Sequence, residues 1–294
     1  MEKSQTVQAK RSSYFLILVA AVLWGIIGMW NRRLSALGMS PYSIVMIRNF
    51  GGVLFLAAFF AIKDPSVFRI RLKHLPYFIG TGIISVLLFS LCYFSCQQVC
   101  SLAISSILLY TAPSIVVVLS AILWREKITG RKLAALILTL IGCATVCGIF
   151  QGNLSATGVG ILLGLGSGFF YALYSIFSRF AINASYSPET ITVWTFICSG
   201  IGSLVLLRPT EVAAAASSAE GWMMMAGVSI ISTALPFLLY TKGLKHIDSG
   251  SASIAASLEP VVAALVGVIV FGEALNFTVC AGIVLVLAGV YILR

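Results

Sequence analysis

The chain has 294 residues, 60% of them hydrophobic and only 10% charged, with a mean hydropathy of +1.04. This composition excludes an ordinary soluble domain and defines an integral membrane protein. A net charge of +10 would suit nucleic acid or acidic lipid, but the cations lie in short segments beside apolar stretches, where they set orientation in the bilayer; no nucleic-acid partner is expected.

A membrane-spanning helix needs roughly 20 mostly apolar residues. In chain order the apolar stretches predict helices at about 14–34, 41–62, 77–97, 102–124 and 132–150, then 158–180, 187–207, 222–243, 250–271 and 277–293. Helix 1 follows Lys10 and Arg11 without a convincing cleavage site, so it reads as a retained span and not a signal peptide. It carries Trp24, Trp30 and Asn31. Helix 2 opens at Pro41 and holds Arg48 and Asn49. Helix 3 holds Tyr93, with Cys92, Cys96 and Cys100 recurring at a spacing that suits a small-residue packing seam better than a metal site. Helix 4 carries Tyr110 and Pro113. In the second half, helix 6 brings Tyr174 and Ser175, helix 7 Trp194, helix 8 Tyr240, and helix 9 Glu259 and Pro260.

The two halves of the chain repeat. Shifted by half the 294-residue length, Ser40 and Pro41 meet Ser187 and Pro188, Gly80 meets Gly227, and Tyr93 meets Tyr240. Arg32, Pro113, Glu126 and Gly142 likewise meet Arg179, Pro260, Glu273 and Gly289. Residues 1–150 and 151–294 therefore read as two copies of one five-helix unit, and an odd number of spans per unit inverts the second copy in the membrane.

Charge agrees with inversion. With a cytoplasmic N-terminus, the inner segments hold Lys3, Lys10, Arg11, Lys63, Arg69, Arg71, Lys73, Arg125, Lys127, Arg131, Lys132, Arg179, Lys242, Lys245 and Arg294, while the outer loops hold only Arg32, Arg33 and Arg208. Arg125, Lys127, Arg131 and Lys132 become Gly272, Ala274, Thr278 and Val279 in the second copy.

Pro113 and Pro260 each fall near the middle of a span, where the ring frees the carbonyl four residues earlier, at Leu109 and Ala256. Interrupted helices at matching positions of two repeats point to a transport site, and a packing kink is the plainer alternative. Glu126 and Glu273 end helices 4 and 9, and Thr129 and Asn276 follow as N-caps for helices 5 and 10. Loop ordering explains the glutamates, with gating as the second reading.

Only Arg48 and Glu259 place formal charge deep inside spans, where charge is costly and marks function by default. Their repeat partners are Thr195 and Ala112. Two readings are open: a structural ion pair joining the halves, or two ends of a cavity that a zwitterion bridges. Trp24, Asn31, Asn49, Tyr93, Tyr110, Tyr174, Trp194 and Tyr240 would furnish the remaining cavity walls for a small organic substrate.

The segments Ala103–Pro113 running to Glu126, and Ser251–Pro260 running to Glu273, share small residues, then proline, then glutamate thirteen residues on. With the inverted repeat, they make the chain resemble the drug/metabolite transporter superfamily and, within it, the EamA-type family, over nearly its whole length. The resemblance implies a central cavity formed by helices 1–4 and 6–9, helices 5 and 10 outside it, and alternating access.

The expectation is an all-α integral membrane protein of ten transmembrane helices as two inverted five-helix repeats. It would be a multi-pass protein of a bacterial cytoplasmic membrane with both termini cytoplasmic, a monomer or a homodimer. It would export a small metabolite such as an amino acid or related amphiphile; uptake of such a compound, or lipid flipping or scrambling, are the alternatives. No enzymatic motif, cofactor or metal site is expected. The chain has no ATP-binding motif, so a proton or other coupling ion, exchange, or the substrate's own gradient would supply the energy.

Overall fold

The computed structural model describes residues 2–149, 157–274 and 276–293. The end of helix 5 expected at 150, the side chain of Lys3, and Arg294 lie outside what is described. Helices account for all the regular structure among the described residues. Eight are long and apolar enough to cross a membrane: α1 (Gln8–Ala36), α2 (Pro41–Lys63), α3 (Leu72–Val99), α4 (Leu102–Trp124), α6 (Gly158–Asn183), α7 (Pro188–Leu206), α8 (Ala219–Leu244) and α9 (Ser249–Phe271). The shorter α5 (Gly130–Val146) and α10 (Phe277–Ile292) come after α4 and α9.

Local sequence sets the helix starts. Ser40 and Ser187 accept from the backbone N–H of Ser43 and Thr190, each followed by proline at the first helical position. Thr129, Thr157 and Asn276 cap α5, α6 and α10 in the same way, each such cap contributing about 1 kcal/mol. A short helix, Pro209–Ala216, straps onto the start of α2. Its Glu211 accepts from Ser43 Oγ at 2.7 Å, Ser40 Oγ at 2.7 Å and Ser40 N at 2.8 Å, donors that hold the carboxyl down to about 2.

Both prolines interrupt their helices. α4 divides into Leu102–Leu109 and Ala112–Trp124, and α9 into Ser249–Ala256 and Glu259–Phe271, so the breaks sit at matching places in the two halves. Carbonyls around the breaks find donors: Thr111 Oγ1 donates to Leu108 O at 2.7 Å, and Cys143 Sγ lies 3.8 Å from Ser257 O. Neighbouring helices come close there. A methyl group at Gly168 of α6 would meet Leu108 O at 2.8 Å, and one at Gly25 of α1 would meet Glu259 O at 2.8 Å.

Other local features depart from the pattern reading. Helix extends N-terminally to Glu2, well before residue 14, and α1 is interrupted at Ile26. α3 and α8 widen into π turns at Gly80–Leu87 and Ile230–Ala234, which shift the helical register. In the second of these, Thr233 Oγ1 donates to Val228 O at 2.7 Å, five residues back.

Packing pairs helices of the first half with helices of the second. α2 lies against α7, and α5 against α10; α6 packs on α3 and α4 as α1 packs on α8 and α9. The α5–α10 pair interlocks through glycine, since a methyl group at Gly142 would meet Val286 N at 2.8 Å and Gly282 O at 2.9 Å.

Candidate functional site

A cavity of about 680 Å³ opens at one end of the bundle. Its rim carries Asn31, Arg32 and Ser35 of α1, Gln97 of α3 and Leu102 of α4, and its depth carries Arg48, Tyr110, Tyr171 and Glu259. The α4 break presents Tyr110 and the α9 break presents Glu259 followed by Pro260, so both interruptions contribute to the cavity lining.

Arg48 is 6% exposed and its Nε has no hydrogen-bond partner. Among the described residues no ion pair joins it to Glu259, although both line the same cavity. Tyr110 and Tyr171 face the Glu259 carboxyl group. A guanidinium and a carboxyl held apart in a low-dielectric space are each undercompensated, and a ligand with complementary charges would relieve both. Tyr93, hydrogen bonded to Ser106 at 3.2 Å, adds an amphipathic wall.

Aromatic rings form the floor. Trp24 packs on Phe237 with centroids 5.2 Å apart, on Tyr240 at 5.5 Å and on Tyr171 at 6.4 Å. Beneath them lies a void of only about 10 Å³, bounded also by Tyr174, Ser175, Ser253 and Ala256. Ser175 and Tyr240 hydrogen bond at 2.8 Å there, and Tyr174 meets Thr241 at 2.6 Å.

The opposite end of the bundle is shut. Ser249–Ala256 of α9 packs against Ala112–Trp124 of α4, whereas the corresponding halves at the open end, Glu259–Phe271 and Leu102–Leu109, flank the cavity. The Lys132 ammonium, on a side chain 6% exposed, lies 2.5 Å from Asp248 and 3.4 Å from Glu126. Glu126 also accepts from Ser249 N at 3.2 Å, while Arg179 donates to Ser249 Oγ at 3.1 Å and to Ile247 O. Burial pushes the Asp248 carboxyl up, but the Lys132 ammonium and the Ser251 N–H outweigh it and hold the group below its ordinary value.

The open end has a weaker counterpart. Arg32 and Glu273, the repeat partners of Arg179 and Glu126, pair at 2.5 Å, but with side chains 56% and 50% exposed. Val279 and Ser101 stand half a chain away from Lys132 and Asp248, so among the described residues the buried cation between two carboxylates is at the shut end.

Of the residues singled out by sequence, Trp24, Asn31, Arg48, Tyr93, Tyr110, Glu259 and Pro260 come together around the cavity. Tyr174 and Tyr240 lie beneath its floor. Asn49 is fully buried, with neither end of its amide hydrogen bonded, and does not line the cavity. Trp194 packs with Phe78 at 6.0 Å in a separate cluster, and Pro113 is buried in the α4 packing. Sequence pattern alone does not single out Tyr171 and Phe237 for the cavity or Lys132 for the shut end. Tyr171 had a signal, because it is the repeat partner of Trp24; Lys132 read as one more inner-face cation.

Apolar helices long enough to span a membrane, two of them interrupted, surround a charged cavity closed at one end in a multi-pass membrane protein. The chain belongs to the EamA-like transporter family, whose profile matches residues 11–148 and again residues 158–294. An uncharacterized transporter of Archaeoglobus fulgidus is 33% identical over 265 residues, covering 88% of this chain and 93% of that protein. The uncharacterized inner membrane transporter YicL of Salmonella typhimurium is 27% identical, over 96% and 95%. YxxF of Bacillus subtilis, also an uncharacterized transporter, is 24% identical, over 98% and 92%. A solved crystal structure superposes with a TM-score of 0.81 at 18% identity, covering 96% of each chain.

Proposed function

We propose that this protein is a secondary transporter that moves a small zwitterionic metabolite, such as an amino acid or a related amphiphile, across a bacterial cytoplasmic membrane by alternating access. The observation that carries this reading is the pair of unbridged charges, Arg48 and Glu259, on one cavity. A carboxylate on Arg48 and an ammonium on Glu259 would satisfy both, with Trp24, Tyr93 and Tyr171 against the apolar part. A cavity of about 680 Å³ suits an amino-acid-sized ligand. Walls drawn from both halves favour an enclosed solute over a lipid headgroup in a side groove. Direction depends on the gradients, and export is the expected flux for a metabolite made in the cell.

In this reading ten helices span the bilayer as two inverted units, residues 1–150 and 151–294, with cytoplasmic termini. The cavity then faces outward and the Lys132 end faces the cytoplasm. In a cysteine-free background, a membrane-impermeant maleimide applied outside is expected to label Asn276→Cys and spare Thr129→Cys. Equal labelling of the two would sink the inverted arrangement.

Purified protein in liposomes is expected to show saturable counterflow of radiolabelled zwitterions, at least about tenfold faster than monocarboxylates or monoamines of equal size, which corresponds to losing roughly 1.4 kcal/mol of one ionic contact. Equal rates for all three classes, or no counterflow across the panel, would overturn the proposal.

A further inference from the structure

We infer that Tyr174, Ser175, Ser178, Tyr240, Ser253 and Ser257 form the second half of the translocation path, a hydroxyl-lined vestibule that opens at the Lys132 end and holds substrate more weakly than the charged cavity does. This rests on the alternating-access reading and assigns residues to the alternate state, in which the Lys132 end is open.

The repeat supplies the first argument. Ser178, Tyr240, Ser253 and Ser257 are the partners of Asn31, Tyr93, Ser106 and Tyr110, all four of which line the open cavity. If the halves exchange conformations, the splayed arrangement at Leu102–Leu109 passes to Ser249–Ala256, and these residues separate as their partners do here. The second argument is local. A water-sized void already lies among Tyr174, Ser175, Tyr240 and Ser253, divided from the large cavity only by the rings of Trp24, Tyr171 and Phe237. The third is an orphaned polar atom: Ser178 is fully buried and its Oγ has no hydrogen-bond partner, on the same α6 face as Tyr174 and Ser175, three or four residues along.

The two half-paths differ in chemistry. The open half holds Arg48 and Glu259, whereas the walls of the sealed half hold hydroxyls, and the charges at its mouth, Lys132, Asp248, Glu126 and Arg179, are engaged with one another or with the start of α9. A zwitterion crossing the aromatic floor exchanges ionic partners for hydroxyls and water, so it binds more weakly on the Lys132 side. The result is an asymmetric pair of half-sites, tighter at the charged cavity and weaker at the Lys132 end.

The test uses full-length protein without native cysteines in inside-out vesicles. A membrane-impermeant maleimide at the Lys132 face is expected to label Ser178→Cys and Ser253→Cys at least tenfold faster than Thr139→Cys, a buried α5 control outside the path. Asp248→Asn, which removes the charge beside Lys132, should raise the two rates further. Ser175→Cys serves as a replacement where either variant fails to insert. Labelling of the path positions at the control rate, with and without Asp248→Asn, overturns the vestibule; intact zwitterion counterflow in the same vesicles would leave the transport reading standing, and its loss would remove both.

Discussion

Arg48→Ala with Glu259→Ala together is expected to give a folded protein that no longer carries a zwitterion, while either change alone gives a less stable one. Each single change removes the opposite charge across the cavity, which partly compensates the one left behind, at a cost below the roughly 3–5 kcal/mol of breaking a fully buried contact pair. The neutral double variant removes that cost, and the two charges should couple by about 0.5–3 kcal/mol in a double-mutant cycle read from thermal unfolding in detergent. Transport behaves differently. Arg48 and Glu259 line the cavity without forming an ion pair, and Arg48 Nε lacks any partner, so deleting both removes the substrate's contacts along with the penalty. Full recovery of counterflow in the double variant would return the pair to a purely structural role. Glu259→Gln adds a second discrimination: it keeps a polar group of the same shape beside Tyr110 and Tyr171, so normal gradient-driven transport in this variant would exclude Glu259 as a carrier of coupling protons.

Lys132→Ala is expected to loosen the shut end of the bundle. Removing the ammonium leaves Glu126 and Asp248 facing each other beside the start of α9, where Lys132 had been 2.5 Å from one and 3.4 Å from the other. Because the Asp248 side chain is 39% exposed, solvent screens part of the buried-pair cost, leaving about 2–3 kcal/mol, or roughly 30–150-fold in the balance between shut and open ends. Asp248→Asn separates two roles of that residue, since asparagine still caps Ser251 N but cannot pair with Lys132. The sign of the pH effect is fixed by the depressed Asp248 carboxyl: the contact is intact above the ordinary carboxylate value and fails only as pH falls through the lower folded value. Thermal unfolding at pH 7 is expected to fall in both variants. Lys132→Ala with native melting and native exchange rates would show that the contact closes nothing.

Much of the candidate site was legible because it rests on local chemistry. Pro113 and Pro260 lack an amide hydrogen and clash with the preceding turn, so the breaks after Leu109 and Ala256 arise from covalent structure alone. Arg48 and Glu259 stood out because charge in an apolar span is costly whatever the tertiary arrangement. The caps at Ser40, Thr129 and Asn276 come from side-chain oxygens at the residue before each helix.

Which aromatic residues face the cavity was not legible. Trp24 and Trp194 are alike in sequence terms, yet one roofs the inner void while the other packs on Phe78. In a helix apolar on every side, periodicity no longer marks the inward face, and the π turns at Gly80–Leu87 and Ile230–Ala234 rotate the helical segments beyond them. Composition, the two prolines and the two buried charges by themselves determined a membrane protein with interrupted helices and a charged interior. Tertiary structure alone decided that Tyr171 and not Trp194 lines the cavity, that Lys132 joins two carboxylates, and which end is shut, because each depends on contacts between residues far apart in the chain.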